Sequence, residues 1–152
     1  EALLVNYRAA EARYRGLFSG VADAVLVADA EARYLDANPA ALTLLGYTRE
    51  ELLQLRVPDI VTNEPSWTES EFDRFATSGE PWRGEIELRR KDGSTVPVEV
   101  SASTIHLPDG QIYVSAMRDL TERRAAQAMQ RDLLAMVRPL VPRPSSTPPP
   151  TP

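Results

Sequence analysis

Apolar positions along this chain switch period four times, and each switch marks a change of element. At the start, Leu3, Tyr7, Ala10, Tyr14 and Leu17 fall at steps of 4, 3, 4 and 3, a seam that predicts a helix over 1–18. At roughly two heptads it is too short to be stable alone, so it must pack on its own domain or on a second copy. "DAVLVAD" (23–29) and "RYLDA" (33–37) are short apolar runs closed by polar residues, and they predict two strands close enough to form a hairpin.

Helical spacing returns at "NPAALTLLGYTREEL" (38–52). Asn38 is an N-cap, and Pro39 sits where a helix needs no N–H. Ala41, Leu42 and Leu45 form an inward face, and Gly46 ends the helix. Thr48 with Glu51 three residues on is a capping box that starts another helix, and Leu52, Leu53 and Leu55 follow. Pro58, Pro65 and Ser66 break the pattern. "SEFDRFATSG" (70–79) predicts one more helix, with Phe72, Phe75 and Ala76 on one side.

After Pro81 the period drops to two. Trp82, Gly84, Ile86 and Leu88 alternate with charged residues, "KDGS" carries the Asp-Gly hairpin signal, and Val96, Val98, Val100 and Ala102 alternate again over 95–104. A second turn, "LPDGQ" (107–111), leads to "IYVSAMR" (112–118), which is apolar in both phases and so does not reveal its buried face. Pro97 implies a missing N–H bond at that point of its strand. Helical spacing resumes from Asp119, with Ala126, Met129, Leu133, Met136 and Leu140 stepping by 3, 4, 3 and 4. Pro139 should stop that helix near Arg138. "PRPSSTPPPTP" is a Pro-rich tail expected to be disordered. The predicted organisation is a helix at 1–18, a core at 19–118, a helix at 119–138 and a tail at 139–152. The fold class is α+β, an antiparallel sheet with short helices on one face.

The 152 residues bound this to one domain with a real core, and a net charge of −5 argues against a nucleic-acid surface. No run approaches the ~20 apolar residues of a membrane span, and no export signal is seen. There is no cysteine, which removes disulfides, thiolate metal sites and cysteine nucleophiles. No Ser/His/Asp set, paired acids or phosphate loop appears, so an enzyme is not expected.

Taken in order, "LFSGVADAVLVAD", "ANPAALTLLGYTREEL", "GEPWRGEIELRRKDGSTVPVEVSAS" and "DGQIYVSAMRDLTERR" resemble a PAS sensor domain over about residues 14–124. The resemblance implies a five-stranded antiparallel sheet, a small cavity between sheet and helices, and flanking helices that relay a state to an effector. It puts Tyr113, Ser115 and Met117 on the cavity face and Ile112, Val114 and Ala116 on the outer face with Val25 and Val27. An apolar outer face needs a cover, either a terminal helix or a second copy. The implied homodimer would use Leu3, Tyr7, Ala10, Tyr14, Leu17, Val25, Val27, Ile112 and Val114. Pocket or core residues are Leu26, Leu42, Leu45, Ile60, Phe72, Phe75, Ile86, Leu88, Val98, Val100 and Met117, with Asn38, Tyr47, Thr104 and Ser115 as polar candidates. Asp119, Leu120 and Thr121 match the family's junction motif. Asp119 would cap the output helix, or pair with Arg89, Arg90 or Lys91.

Family members hold haem, flavin, another small molecule or nothing. Cysteine-adduct flavin chemistry is excluded, because the matching position lies near Val57 and no thiol exists. Haem is disfavoured, since the helix at 70–79 lacks a histidine and the sole one, His106, sits by a surface turn. Trp67 and Trp82 suggest an aromatic ligand, against which Trp82 reads as a packing anchor. The resemblance therefore implies a cytoplasmic sensory and dimerisation module, with a ligand-free scaffold and a small-molecule carrier as the alternatives. The effector is not in this sequence. "RDLLAMVRPLVPRP" faintly resembles the lead-in to a STAS-type domain, and a kinase, cyclase or phosphatase output fits equally.

Overall fold

The computed structural model of the chain describes residues 2–62 and 69–137, with side chains over 8–62 and 71–137. The side chains of Leu3 and Tyr7, the Pro65–Ser66 break, Trp67 and the tail at 139–152 lie outside the described residues. Contacts divide the chain into two compact units, the first ending at Leu120 and the second starting at Thr121.

The first unit holds α1 (Ala2–Gly20), β1 (Ala24–Ala28), β2 (Tyr34–Ala37), α2 (Pro39–Leu45), α3 (Arg49–Leu52), α4 (Val57–Ile60), α5 (Glu69–Ser78), β3 (Trp82–Arg89), β4 (Thr95–Leu107) and β5 (Gly110–Asp119). The second holds α6 (Thr121–Val137). The five strands form one antiparallel sheet in the order β2-β1-β5-β4-β3, which puts the last strand in the middle.

Strand alternation sets the layers. In β4, Val96, Val98, Val100 and Ala102 are buried while Thr95, Glu99 and Ser103 are exposed. Register extends this face across the sheet: Val100 pairs with Met117, which pairs with Ala24, and Ser115 pairs with Leu26. The short helices close over that face, and Ala41, Leu45, Leu52, Ile60, Phe72 and Phe75 complete one core cluster with it.

α2 is held at both ends by groups outside its own ladder. Asn38, fully buried, accepts from Ala41 N–H at 3.0 Å as N-cap. Gly46, left-handed at φ 80°, returns its N–H to Leu42. The β3–β4 turn supplies the rest. Arg90 Nε donates to Leu44 O at 3.0 Å, and Lys91 N–H donates to Leu45 O at 2.9 Å. These bonds satisfy carbonyls that a helix end leaves open, and the Arg90 cation also suits the dipole there.

Three expectations need correction. The Thr48–Glu51 capping box forms, but α3 stops after four residues. Pro58 does not end a helix; it sits in the first turn of α4, where no N–H is needed, while Asp59 accepts from Arg56 N–H at 2.8 Å. β4 runs to Leu107 rather than 104, because its pairing with β5 continues to Gly110 through Ile105 and His106, which are exposed. Backbone pairing, unlike an alternation pattern, needs no core beneath it.

Candidate functional site

Between the inner face of the sheet and α4 and α5 lies a cavity of about 50 Å³. Phe72 and Phe75 of α5 meet Tyr113 of β5 edge-on, at ring-centre distances of 5.4 and 5.6 Å. Tyr34, Trp82, Ile86, Leu88, Val100 and Met117 supply most of the remaining wall. Burial, with Asp59 adding to it, raises the Tyr34 hydroxyl well above the ordinary tyrosine value. Burial and the Glu31 carboxylate raise Tyr113 in the same direction. Both phenols stay neutral, so the wall carries no charge. Ser115 is the polar residue in it, and its hydroxyl already donates to Leu26 O at 3.4 Å.

An apolar space of this size admits a few heavy atoms, far below the roughly 300–1,000 Å³ of pockets for drug-sized ligands. Neither haem nor flavin fits it as folded, and the one histidine lies on the exposed β4–β5 hairpin. Trp82 lies against its own strand. A Cβ on Gly84 would stand 2.7 Å from the indole Cη2.

Of the residues expected in the pocket, Phe72, Phe75, Ile86, Leu88, Val100, Ser115 and Met117 come together around the cavity. Leu26, Leu45, Ile60 and Val98 are core residues away from it. Leu42 and Tyr47 are half-buried against that core, and Leu42 borders a separate cleft. Asn38 is spent on backbone: its oxygen also accepts from Val25 N–H at 2.8 Å, and its amide donates to Asp23 O at 2.9 Å. Thr104 does not line the cavity, and its buried hydroxyl has no hydrogen-bond partner. Tyr34 and Val61 line it without having been singled out, and Val57, named only for the position matching the flavin-adduct cysteine, lines it too. Tyr34 is placed by a register shift at Val27/Ala28, for which the sequence gives no turn signal.

On the opposite face, Val27 is buried and Val25, Ile112, Val114 and Ala116 are half-buried. Among the described side chains of α1, residues 8–17 are all exposed, and the Tyr14–Phe18 side shares a cleft with Asp36, Ala37, Pro39, Leu42 and Arg49 along the β2 edge. Leu17 is 68% exposed, and Ala10 is exposed beside it on the seam.

β5 ends at Asp119. Leu120 is buried, and its N–H donates to Pro97 O at 2.9 Å, so the strand is pinned where α6 begins. Asp119 borders a surface recess with Arg90, Lys91, Leu44 and Gly46. α6 starts at Thr121, and Met129, Leu133 and Met136 along it are exposed.

A family model described as PAS domain matches residues 22–122. The methyl sulfide methyltransferase-associated sensor of Methanosarcina acetivorans is 30% identical over 123 residues, which is 80% of this chain and 12% of that protein. The sensor histidine kinase TmoS of Ectopseudomonas mendocina is 29% identical over 138 residues, 86% of this chain and 14% of the kinase. The chain thus spans a small fraction of the curated relatives it matches. Among solved structures, the PAS domain of an HTR-like protein from Haloarcula marismortui superposes with a TM-score of 0.67 at 21% identity, covering 78% of this chain and 98% of that one.

Proposed function

This chain belongs to the PAS domain family and is a sensory module of signal transduction; on that premise we propose that it reads its cavity through β5 and acts as a homodimer. One observation carries the reading. β5 walls the cavity with Tyr113, Ser115 and Met117 and with part of Val114; strand alternation turns the side chains of Ile112, Val114 and Ala116 to its other side, and the strand runs into Asp119–Leu120–Thr121. A displacement of β5 therefore reaches the cavity, the outer face and the start of α6 together.

The cavity takes a small uncharged apolar guest, since its wall offers no charge to balance an ion. A guest shifts the sheet only by binding one of its two arrangements more tightly. The half-buried valines of the outer face, and the seams of α1 and α6, are covered by a second copy. Asp119, Leu120 and Thr121 transmit the shift to α6, and an effector elsewhere in a cytoplasmic protein performs the output.

Native mass spectrometry with an absorption spectrum separates the readings. A dimer that carries an added mass, or that gains one from a small apolar compound, supports sensing. A dimer that never takes a guest supports a scaffold, and a guest-bearing monomer supports a carrier.

A further inference from the structure

At the far end of β4 and β5 a chain of hydrogen bonds connects solvent to the cavity wall. His106 and Gln111 are a register pair on the exposed hairpin, and Gln111 Nε2 lies 3.1 Å from His106 Nδ1. The same amide accepts from the Tyr113 hydroxyl through Oε1 at 2.9 Å. Tyr113 is buried and packs edge-on against Phe72 and Phe75. Gln111 thus has one end on a titratable ring in water and the other on a cavity residue.

An amide has a donor end and an acceptor end, so its two partners cannot change role independently. With Oε1 accepting from Tyr113, Nε2 donates to His106, and Nδ1 must be the bare nitrogen of a neutral ring. A proton taken from solvent onto Nδ1 makes that nitrogen a donor, and two N–H groups then face each other. Half a turn of the amide removes the conflict. Oε1 now accepts from His106, Nε2 donates to the Tyr113 oxygen, and the Tyr113 hydroxyl hydrogen must turn away from Gln111.

We propose that His106, Gln111 and Tyr113 form a proton-reading relay, in which protonation of the surface imidazole reverses the hydrogen bond made by a wall residue of the cavity. Glu31, in the β1–β2 connection, acts on the Tyr113 hydroxyl; Asp109 occupies the turn between Leu107 and Gly110; and α5 meets Tyr113 with Phe72 and Phe75. The relay's effect on signalling rests on the sensory reading of the cavity, but its existence does not.

The test follows the ring resonances of His106 and Tyr113 by NMR on the whole chain from pH 8 to pH 5, the range in which histidines titrate. Tyr113 is assigned by the loss of its signals in Tyr113→Phe. Tyr113 should shift with the same midpoint as His106. In Gln111→Leu, His106 should still titrate while Tyr113 stays fixed, and in His106→Gln the Tyr113 shift should disappear. His106 and Gln111 are exposed, so both variants should fold. A Tyr113 signal that ignores His106 in the unmodified chain, or that still moves in Gln111→Leu, overturns the relay. A failure to find any cavity guest leaves this result untouched.

Discussion

Asn38 Oδ1 accepts the backbone N–H of Val25 at 2.8 Å while capping α2 through Ala41, so one buried side chain ties the inner strand β1 to the first helix after the β1–β2 pair. Its amide meets Asp23 O as well. Asn38→Ala removes the cap and strands a buried N–H and C=O, and should cost about 3 kcal/mol of unfolding free energy. Asn38→Asp keeps the acceptor but turns the donor end into a buried carboxylate facing Asp23 O. That carboxyl would bind its proton more tightly folded than unfolded, so the variant's deficit should shrink as the pH is lowered. Urea melts at pH 7 and pH 4.5 check both.

The β3–β4 turn should matter to α2 more than its distance in sequence suggests. Arg90 satisfies Leu44 O, whereas Arg89 is an exposed strand residue. Arg90→Ala should cost about 1–2 kcal/mol, and Arg89→Ala less than about 0.5 kcal/mol. Amide exchange should show the extra opening in α2.

Gly84 makes room for the Trp82 indole, and an added Cβ would lie 2.7 and 2.8 Å from its Cη2 and Cζ2. Gly84→Ala should therefore push Trp82 off its strand, costing about 1–3 kcal/mol. Tryptophan emission should shift to the red and the melting temperature should fall. An unchanged spectrum would mean the indole rests elsewhere.

Lys91, whose ammonium lies 2.6 Å from the Glu51 carboxylate, holds that carboxyl below the usual glutamate range, with the Thr48 N–H helping. A lowered folded value means that the contribution is present above the unfolded glutamate value, about 4.3, and is lost as the pH falls through the folded one. Glu51→Gln should thus flatten the acid side of the stability profile and change little in the slope above pH 6.

Much of the fold was legible because one-sided burial writes alternation into a strand. Ile86, Leu88, Val96, Val98 and Val100 announced their face directly, and Asn38, Gly46, Thr48 and Glu51 announced their caps. Pro58 misled, since a proline that opens a turn looks like one that ends it. The cavity was legible as a face but not as a volume. Val98 and Val100 share a side of one strand, yet only Val100 reaches the space. The bonds of Asn38 and Arg90 join residues far apart in sequence, and pattern alone does not indicate such partners. His106 read as a plain surface residue because its link to Tyr113 runs through Gln111 on the neighbouring strand.

The shared role of β5 is tested most directly by the solution mass of the chain and of Val114→Asp, measured by sedimentation equilibrium. With a second copy on the outer face, the unmodified chain should have twice its 16.8 kDa mass, and Val114→Asp should run as a folded monomer. An unmodified monomer, or a Val114→Asp dimer as tight as the original, would contradict it.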